Sequence, residues 1–284
     1  VYDRKNKVMD LLGINLEFVE ANYDMNAATN QIKIQIQAGD TVWQVAANDI
    51  RSLASLSSGG FIANIYNNDI LDMEKNYWYA DSMRDLMFLD GGMYLLVGDY
   101  FTDALSSCHT LYANEEIINN VYGDENYVNK MVFDGTWTID KMTQMVGENY
   151  TDTDGDGKKS GGDTYGYACV GMWGSEYAFN NEHSIAVLDK LQALYYSDGT
   201  NTTACGDITT LRTFFINKQC LFMGYNRLGD LTRFREVEFP IGVLPYPKFD
   251  ENQENYITTL HDTSEIGAIP STVVGDAELR PHLP

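Results

Sequence analysis

Apolar and polar positions alternate along the chain in short blocks, and these blocks predict both helices and strands. Residues 1–13 place their apolar side chains on one helical stripe, and Gly13 is a natural helix stop. Residues 14–20 alternate apolar with polar side chains, which predicts a half-buried strand. Residues 31–37 alternate in the same way and predict a second strand, and residues 40–55 predict a helix.

Strand and helix predictions continue to alternate over the rest of the chain. Further strands are predicted at 92–100, 107–114, 165–173, 220–224 and 265–273, with an extended, proline-broken segment at 239–249. Further helices are predicted at 115–123, 136–150, 183–197 and 208–219. No linker rich in Pro, Gly or Ser divides the chain. We therefore expect an α/β fold of two domains that strands connect.

Two of these helices have well-defined apolar stripes. In the helix over 136–150, Thr138 is placed to cap the amino end, and the stripe is Ile139, Met142, Met145 and Val146. In the helix over 183–197, the apolar residues Ile185, Leu188, Leu191 and Leu194 are spaced three apart. Both stripes predict a helix face that packs against a core.

The charge of the chain excludes one class of partner. The 284 residues include 41 acidic and 19 basic ones, for a formal net charge of −22. Such a surface repels phosphate backbones, and no basic cluster provides a local exception, so nucleic-acid binding is not expected. The hydrophobic content of 44% is that of a globular protein, and no apolar run is long enough to span a membrane. The acidic, tyrosine-rich composition suits a secreted or cell-surface protein.

Cysteine and histidine positions do not indicate a zinc site. The cysteines at 108, 169, 205 and 220 show no CxxC spacing and no metal-site pattern with the scattered histidines. Disulfides and buried free thiols both remain open. The histidines are interpreted as ordinary surface or core residues.

Residues 152–163, DTDGDGKKSGGD, follow the pattern of a calcium-binding loop. Asp152, Asp154 and Asp156 occupy its first, third and fifth positions, so their carboxylates converge on one side of a tight turn. Gly157 permits the reversal at the sixth position. The other expected ligands are the Lys158 carbonyl at the seventh position, Ser160 at the ninth and Asp163 at the twelfth. The alternative is an acidic surface turn without a metal.

The flanks of this loop favour a structural role for the ion. A helix is predicted before the loop, and the strand over 165–173 is predicted after it. A calcium sensor works by changing the angle between two helices, and here only one is present. We therefore expect structural Ca²⁺ rather than regulation.

Several segments together resemble the family 1 extracellular solute-binding proteins of bacterial ABC importers. They are WTIDKM, DTDGDG with DTYGY, FINKQCLFMGY, IGVLPYPKFDENQENY and GAIPSTV, and they occur in the family's order over most of the chain. The stretch GVLPYPK…DENQENY is fairly specific, whereas the calcium-like loop occurs in many unrelated proteins. The amino-terminal residues and the NYWYAD…GGMYLLVGD segment resemble members from Gram-positive bacteria.

This resemblance implies a periplasmic-binding-protein fold, in which two α/β lobes close on a ligand about a hinge. Lobe one would comprise residues 1–110 with 252–284, and lobe two residues 111–251. The family's first strand is missing before Val1, its closing helices are missing after Pro284, and residues 57–69 are shorter than in the family. We therefore expect a fold that is incomplete at both termini.

The resemblance also implies the function. The protein would be an extracellular receptor that captures a small solute, a mono- or oligosaccharide, between its lobes and delivers it to an ABC transporter permease. It would be a monomer, held by a lipid anchor outside this sequence at the surface of a Gram-positive-like bacterium, or periplasmic in a Gram-negative one. Binding would select the closed form.

A sugar site needs aromatic faces and planar polar groups. The residues that the resemblance and this chemistry assign to ligand binding are Trp78, Tyr79, Asp81, Trp173, Tyr177, Tyr225 and Arg227. Trp78 and Tyr225 fit a core role equally well, and Arg227 fits a simple ion pair. Trp137 and Trp43 are assigned to packing.

Two other function classes compete with a binding protein. A glycoside hydrolase would need two converging carboxylates, and 41 acidic residues leave that open. No GxSxG, HExxH, P-loop or dinucleotide motif is present, so catalytic residues are not predicted. A calcium-dependent adhesion module would be all-β, which the alternating helices oppose. The sequence therefore favours a binding protein over an enzyme.

Overall fold

The structure is a computed structural model that describes residues 2–20, 24–66, 71–73, 75–78, 91–169, 182–202 and 207–273. It divides the chain into two compact units. Unit 1 is Val1–Phe101 with Asp262–Pro284, and unit 2 is Thr102–His261. Within the described ranges, no helix is both long and apolar enough to cross a lipid bilayer.

Helices and strands alternate along the described chain. The helices are α1 Tyr2–Leu12, α2 Met25–Gln37, α3 Ile50–Ser58, α4 Asp103–Ser106, α5 Glu115–Tyr122, α6 Tyr127–Phe133, α7 Ile139–Glu148, α8 Glu182–Tyr195 and α9 Ile208–Ile216, with a 3₁₀ segment at Leu228–Phe234. The strands are β1 Ala46–Asp49, β2 Leu95–Leu96, β3 His109–Asn114, β4 Tyr165–Ala168, β5 Thr200–Asn201, β6 Cys220–Arg227, β7 Ile241–Leu244 and β8 Glu265–Ala268. The predicted α/β class is confirmed.

Unit 1 contains a three-stranded sheet in the order β1-β8-β2, with both pairs antiparallel. Its core joins α2 and α3 to this sheet, with Leu53 and Ile266 fully buried and Leu95 nearly so. Trp43, predicted to pack in a core, is partly buried against this cluster.

The strand prediction for residues 31–37 was wrong, because this segment is the second half of α2. Its alternating pattern contains an i, i+4 series, and Ala28, Ile32 and Ile36 are the buried residues of the helix. Ile34, which a strand would bury with its neighbours, is 63% exposed. The Asp24 carboxylate caps the helix by accepting from the amide of Ala27.

Two other predictions in unit 1 also differ from the structure. Residues 14–20 form neither helix nor strand, and Ile14 and Phe18 are exposed. An alternating pattern forms a strand only where a neighbour supplies its hydrogen bonds. The helix predicted over 40–55 begins only at Ile50, after β1, because the Asp49 carboxylate caps it there.

Unit 2 is built on a five-stranded sheet in the order β5-β4-β6-β3-β7. β4 is parallel to β5 and β6, whereas β3 is antiparallel to both β6 and β7. One buried cluster joins α5, α6, α7 and α8 to the sheet, and a second joins α9 and the 3₁₀ segment to it. Because both clusters draw on residues of the same strands, the sheet is the central layer of this unit.

The sequence patterns in and next to α7 predict its structure correctly. Thr138 caps α7, and Ile139, Met142, Met145 and Val146 are its buried residues, as predicted. Trp137 is fully buried, and its indole nitrogen donates to the carbonyl of Pro245 at 3.1 Å, so its assignment to packing is confirmed. In α8, however, only Leu194 of the predicted stripe is buried. Cys108 and Cys169 are free thiols, so the structure decides that alternative for these two residues.

Candidate functional site

The acidic loop brings three carboxylates together. One oxygen each of Asp152, Asp154 and Asp156 lies within 4.8 Å of the other two. Ca²⁺ binds oxygens at about 2.3–2.6 Å, so two ligands on opposite sides of the ion lie up to about 5 Å apart. The spacing of these hard oxygen donors therefore fits Ca²⁺.

Two glycines allow the loop to turn at this point. Gly155 and Gly157 have φ values of +70° and +71°, in the left-handed region that favours glycine. Their amides donate to the two carboxylate oxygens of Asp152, at 2.7 and 2.9 Å. The backbone thus orients the first carboxylate before any ion binds.

Asp163 lies outside this group of three carboxylates and closes the loop instead. It is fully buried, and its two oxygens accept from the amides of Thr153 at 3.1 Å and Ser160 at 2.8 Å. The hydroxyls of Tyr150 and Tyr165 each lie 3.4 Å from Oδ2. Its carboxylate therefore holds both ends of the loop together.

Three side chains attach the loop to the rest of unit 2. The Tyr165 hydroxyl, on β4, donates to the Ser160 carbonyl at 3.0 Å, and Nε2 of Gln219 donates to the Gly161 carbonyl at 2.8 Å. Lys159 forms an ion pair with Asp198 at 3.1 Å. Burial, followed by the charge of Asp163, raises the pKa of the Tyr165 phenol.

A second candidate site is the carboxyl edge of the unit 2 sheet. The pairing places the ends of β4, β5, β6 and β7 at one edge, because β3 is antiparallel to its neighbours. From β4 the chain proceeds to β5 on one side and then to β6 on the other. In open α/β sheets, ligands bind outside the carboxyl ends of the strands near such a reversal.

Tyr225 is presented at this edge by a β-bulge. The register between β3 and β6 shifts between Thr110 and Tyr112, which leaves an extra residue on β6. Tyr225 has a φ of +60°, a conformation that costs roughly 1–2 kcal/mol outside glycine. The residue is 43% exposed. A strained, exposed aromatic residue at the carboxyl edge is typical of a binding position.

A buried phenol and thiol cluster lies next to the bulge. The Cys169 thiol lies beside the phenols of Tyr167 and Tyr195, and burial raises the pKa of this thiol to about 11. The amide of Tyr225 donates to the hydroxyl of Tyr246 at 3.1 Å. Tyr246, in the segment GVLPYPK, was not predicted as a site residue, because no local sequence pattern shows which phenol contacts the bulge.

Arg227 takes the ion-pair role that the sequence left open. Its Nε lies 3.7 Å from Oδ2 of Asp230, and its amide donates to the same oxygen at 3.0 Å. Asp230 is buried and also pairs with Arg212 at 3.0 Å and Arg233 at 3.3 Å. Arg227 therefore anchors the 3₁₀ segment to β6, and its guanidinium remains partly exposed.

Trp78 lies in unit 1, partly buried against that unit's core. It forms an isolated β-bridge with Gly98. A Cβ added to Gly98 would lie 2.3 Å from the carbonyl oxygen of Tyr77. Within the described ranges, its buried indole nitrogen has no hydrogen-bond partner. Tyr79, Asp81, Trp173 and Tyr177, the other assigned residues, lie outside the described residues.

Comparisons with known proteins identify the fold. Neither the known protein-family profiles nor the curated proteins match the sequence. Among solved structures, the chain is similar to a family 1 extracellular solute-binding protein from Bifidobacterium longum subsp. infantis, with a TM-score of 0.62 and 13% identity, over 96% of this chain and 70% of that one. It is similar to a cyclo/maltodextrin-binding protein complexed with maltotetraose, with a TM-score of 0.63 and 12% identity, over 95% and 66% of the chains.

A third similar structure holds a different ligand. UgpB from Mycobacterium tuberculosis, in complex with glycerophosphocholine, gives a TM-score of 0.58 and 12% identity, over 95% of this chain and 66% of that one. Because the identities are low, the similarity establishes the fold alone. The chain has the α/β fold of the two-lobed solute-binding proteins, as its sequence motifs predicted.

Proposed function

We propose that this protein is an extracellular solute-binding receptor of an ABC importer and that its solute is a mono- or oligosaccharide. The observation that carries the proposal is the strained, 43% exposed Tyr225 at the carboxyl edge of the unit 2 sheet. An aromatic ring at such an edge can stack on the apolar C–H face of a pyranose. The shared fold with a protein complexed with maltotetraose supports a sugar.

The proposed function also implies a permease partner and a set of residues that contact the solute. The receptor would deliver its solute to permease subunits, act as a monomer, and be attached to the cell surface by a lipid anchor outside this sequence. The residues proposed to contact the solute include Trp78 and Tyr225, with Arg227 close to Tyr225 in sequence. Of the sequence-assigned residues outside the described ranges, Tyr79, Asp81, Trp173 and Tyr177 remain part of the proposed site.

We also propose that the protein binds Ca²⁺ as a structural ion. The carboxylates of Asp152, Asp154 and Asp156 would hold it, with the Lys158 carbonyl and Ser160 as further oxygen donors. The ion would neutralise three mutually repelling carboxylates at the surface of unit 2. Asp163, also predicted as a ligand, would in addition support the loop through its hydrogen bonds with the amides of Thr153 and Ser160.

The decisive experiment is a thermal-shift screen against mono- and oligosaccharides, followed by calorimetric titration of each compound that stabilises the protein. Glycerophosphocholine belongs in the panel because a structure with the same fold holds it. Saturable stabilisation by a sugar, with the sugar recovered intact, would support the receptor. Stabilisation by glycerophosphocholine alone would replace the sugar with another solute, and cleavage of a glycoside would replace the receptor with an enzyme.

A further inference from the structure

The conformation of Tyr225 requires support from its surroundings. A tyrosine in the left-handed region, at a φ of +60°, relaxes to an ordinary conformation unless other contacts hold it. Because the residue is 43% exposed, packing against its neighbours fixes it only in part. The support must therefore come from contacts made by the backbone of the bulge.

Gly224 brings the bulge close to the buried phenols. A Cβ on Gly224 would lie 2.3 Å from the hydroxyl of Tyr167, so any side chain at this position would require Tyr167 to move. On the other side of Tyr225, the buried side-chain amide of Asn226 donates to the Gly224 carbonyl at 2.7 Å. These contacts hold the residues before and after Tyr225. The amide of Tyr225 itself still needs a hydrogen-bond acceptor.

The phenol of Tyr246 accepts the hydrogen bond from that amide, at 3.1 Å. Tyr246 follows β7, which pairs with β3, whereas Tyr225 belongs to β6 on the other side of β3. The hydrogen bond thus spans two strand pairs at the carboxyl edge and ties the bulge to a separate part of the chain. Burial raises the pKa of Tyr246, so its hydroxyl stays protonated and neutral at physiological pH.

We propose that Tyr246 is the positioning residue of the solute site. Its hydroxyl fixes the amide of Tyr225 and thereby the direction in which the Tyr225 ring meets the solute. This inference rests on the proposed function, in which Tyr225 contacts a sugar. It assigns to Tyr246 an effect on affinity that acts only through Tyr225.

Tyr246→Phe tests the proposal because it removes the acceptor and keeps the ring. The matched control is Tyr122→Phe, since the Tyr122 hydroxyl accepts from Nδ2 of Asn149 at 3.0 Å in the same unit and not from an amide of the bulge. The first readout is hydrogen exchange of the Tyr225 amide, measured by NMR without solute. We expect exchange to quicken about tenfold or more in Tyr246→Phe and to stay unchanged in the control.

The second readout is the dissociation constant of the sugar found in the screen. Tyr246→Phe should weaken binding about fivefold in the native background and leave it unchanged in a Tyr225→Ala background, because the effect passes through Tyr225. An equal loss in both backgrounds would overturn the proposal, and so would unchanged affinity. If Tyr246→Phe melts at about the same temperature as the control variant, its weaker binding does not come from a general loss of folding.

The two readouts separate this proposal from the proposed function. If no solute binds the native protein, the proposed function fails, and the amide exchange of Tyr225 still decides whether Tyr246 fixes the bulge. If a sugar binds the native protein but Tyr225 exchanges equally fast in the native protein and in Tyr246→Phe, the positioning role is overturned while the receptor function stands.

Discussion

Oδ1 of the buried Asp163 accepts a hydrogen bond from the amide of Thr153 at 3.1 Å, across ten positions of the chain. The amide of Ser160 donates to Oδ2 of the same carboxylate, so Asp163 closes the acidic loop through both of its oxygens. The calcium-like motif and its structural support are therefore separate parts of the same segment.

Asp163→Asn should destabilise unit 2 by roughly 2–3 kcal/mol, because the amide nitrogen of the buried asparagine must face one of the two N–H groups that now donate to Asp163. Urea unfolding in the presence of a chelator measures this loss without any contribution from Ca²⁺. The control is Asp156→Asn, whose side chain is exposed and should cost less than about 0.5 kcal/mol. Equal losses in both variants would contradict the closing role of Asp163.

Ca²⁺ should raise the melting temperature, because an ion that binds only the folded loop stabilises it by mass action. At one hundred times the dissociation constant, the gain is about 3 kcal/mol. Differential scanning calorimetry with Ca²⁺ and with a chelator measures it, and the double variant Asp152→Asn/Asp154→Asn should remove the difference.

The same comparison checks whether the ion is structural. Sugar affinity should be equal with Ca²⁺ and with chelator at a temperature where the protein stays folded. Sugar binding that needs Ca²⁺ would instead support a regulatory role for the loop.

Tyr225→Ala should weaken sugar binding by roughly 1–3 kcal/mol, through the loss of stacking area, and Tyr225→Phe should lose much less. We expect a loss of the same size for Trp78→Ala. Isothermal titration calorimetry measures each affinity. Unchanged affinity in both alanine variants would remove these two residues from the site.

Stability should fall as the pH rises above about 9, because burial raises the pKa of the Cys169 thiol from 9.0 to about 11. The unfolded thiol loses its proton first, so the native state binds more protons between these values and the free energy of unfolding decreases. The stabilisation is complete below pH 9 and is lost by about pH 11.

Two pKa units correspond to at most about 3 kcal/mol. Urea unfolding at pH 8, 9 and 10 measures the slope, and Cys169→Ala should reduce it. The phenols of Tyr167 and Tyr246, whose pKa values burial also raises, should leave a residual slope in that variant. Identical slopes in the two proteins would contradict a buried, neutral thiol.

Gly199→Ala should destabilise unit 2 by roughly 3 kcal/mol, since its Cβ would lie 1.7 Å from the carbonyl oxygen of Val146 on α7. The helix must move away from β5 to make room. Gly161→Ala is the control, because nothing lies within 4 Å of its Cβ. Denaturant unfolding compares the two variants, and a neutral Gly199→Ala would show that α7 can shift without cost.

Most local structure in unit 2 could be predicted from the sequence. The cap at Thr138, the buried stripe of α7 and the turn chemistry of Gly155 and Gly157 each depend on residues within a few positions of one another. The resemblance to solute-binding proteins likewise rests on contiguous motifs, and the fold comparison agrees with it.

The strands predicted at 31–37 and 14–20 are absent from the structure because the local sequence patterns there are ambiguous. Residues 31–37 alternate like a strand, but the same isoleucines also stand four apart, and packing against α3 and β1 selects the helix. Residues 14–20 have a strand pattern and no strand to pair with among the described residues. A period of two and an i, i+4 series coexist in so short a segment, so only its partners decide.

Residue patterns alone predict the α/β class, the acidic loop with its carboxylate spacing, and the motifs shared with solute-binding proteins. The folded chain was needed to show that Asp163 closes the loop, that Arg227 pairs with a buried Asp230, and that Tyr246 accepts a hydrogen bond from the amide of Tyr225. The reason is physical. Caps, turns and helix stripes are interactions between neighbours in the chain, whereas the bulge and its support join strands that are distant in sequence and meet only when the sheet forms.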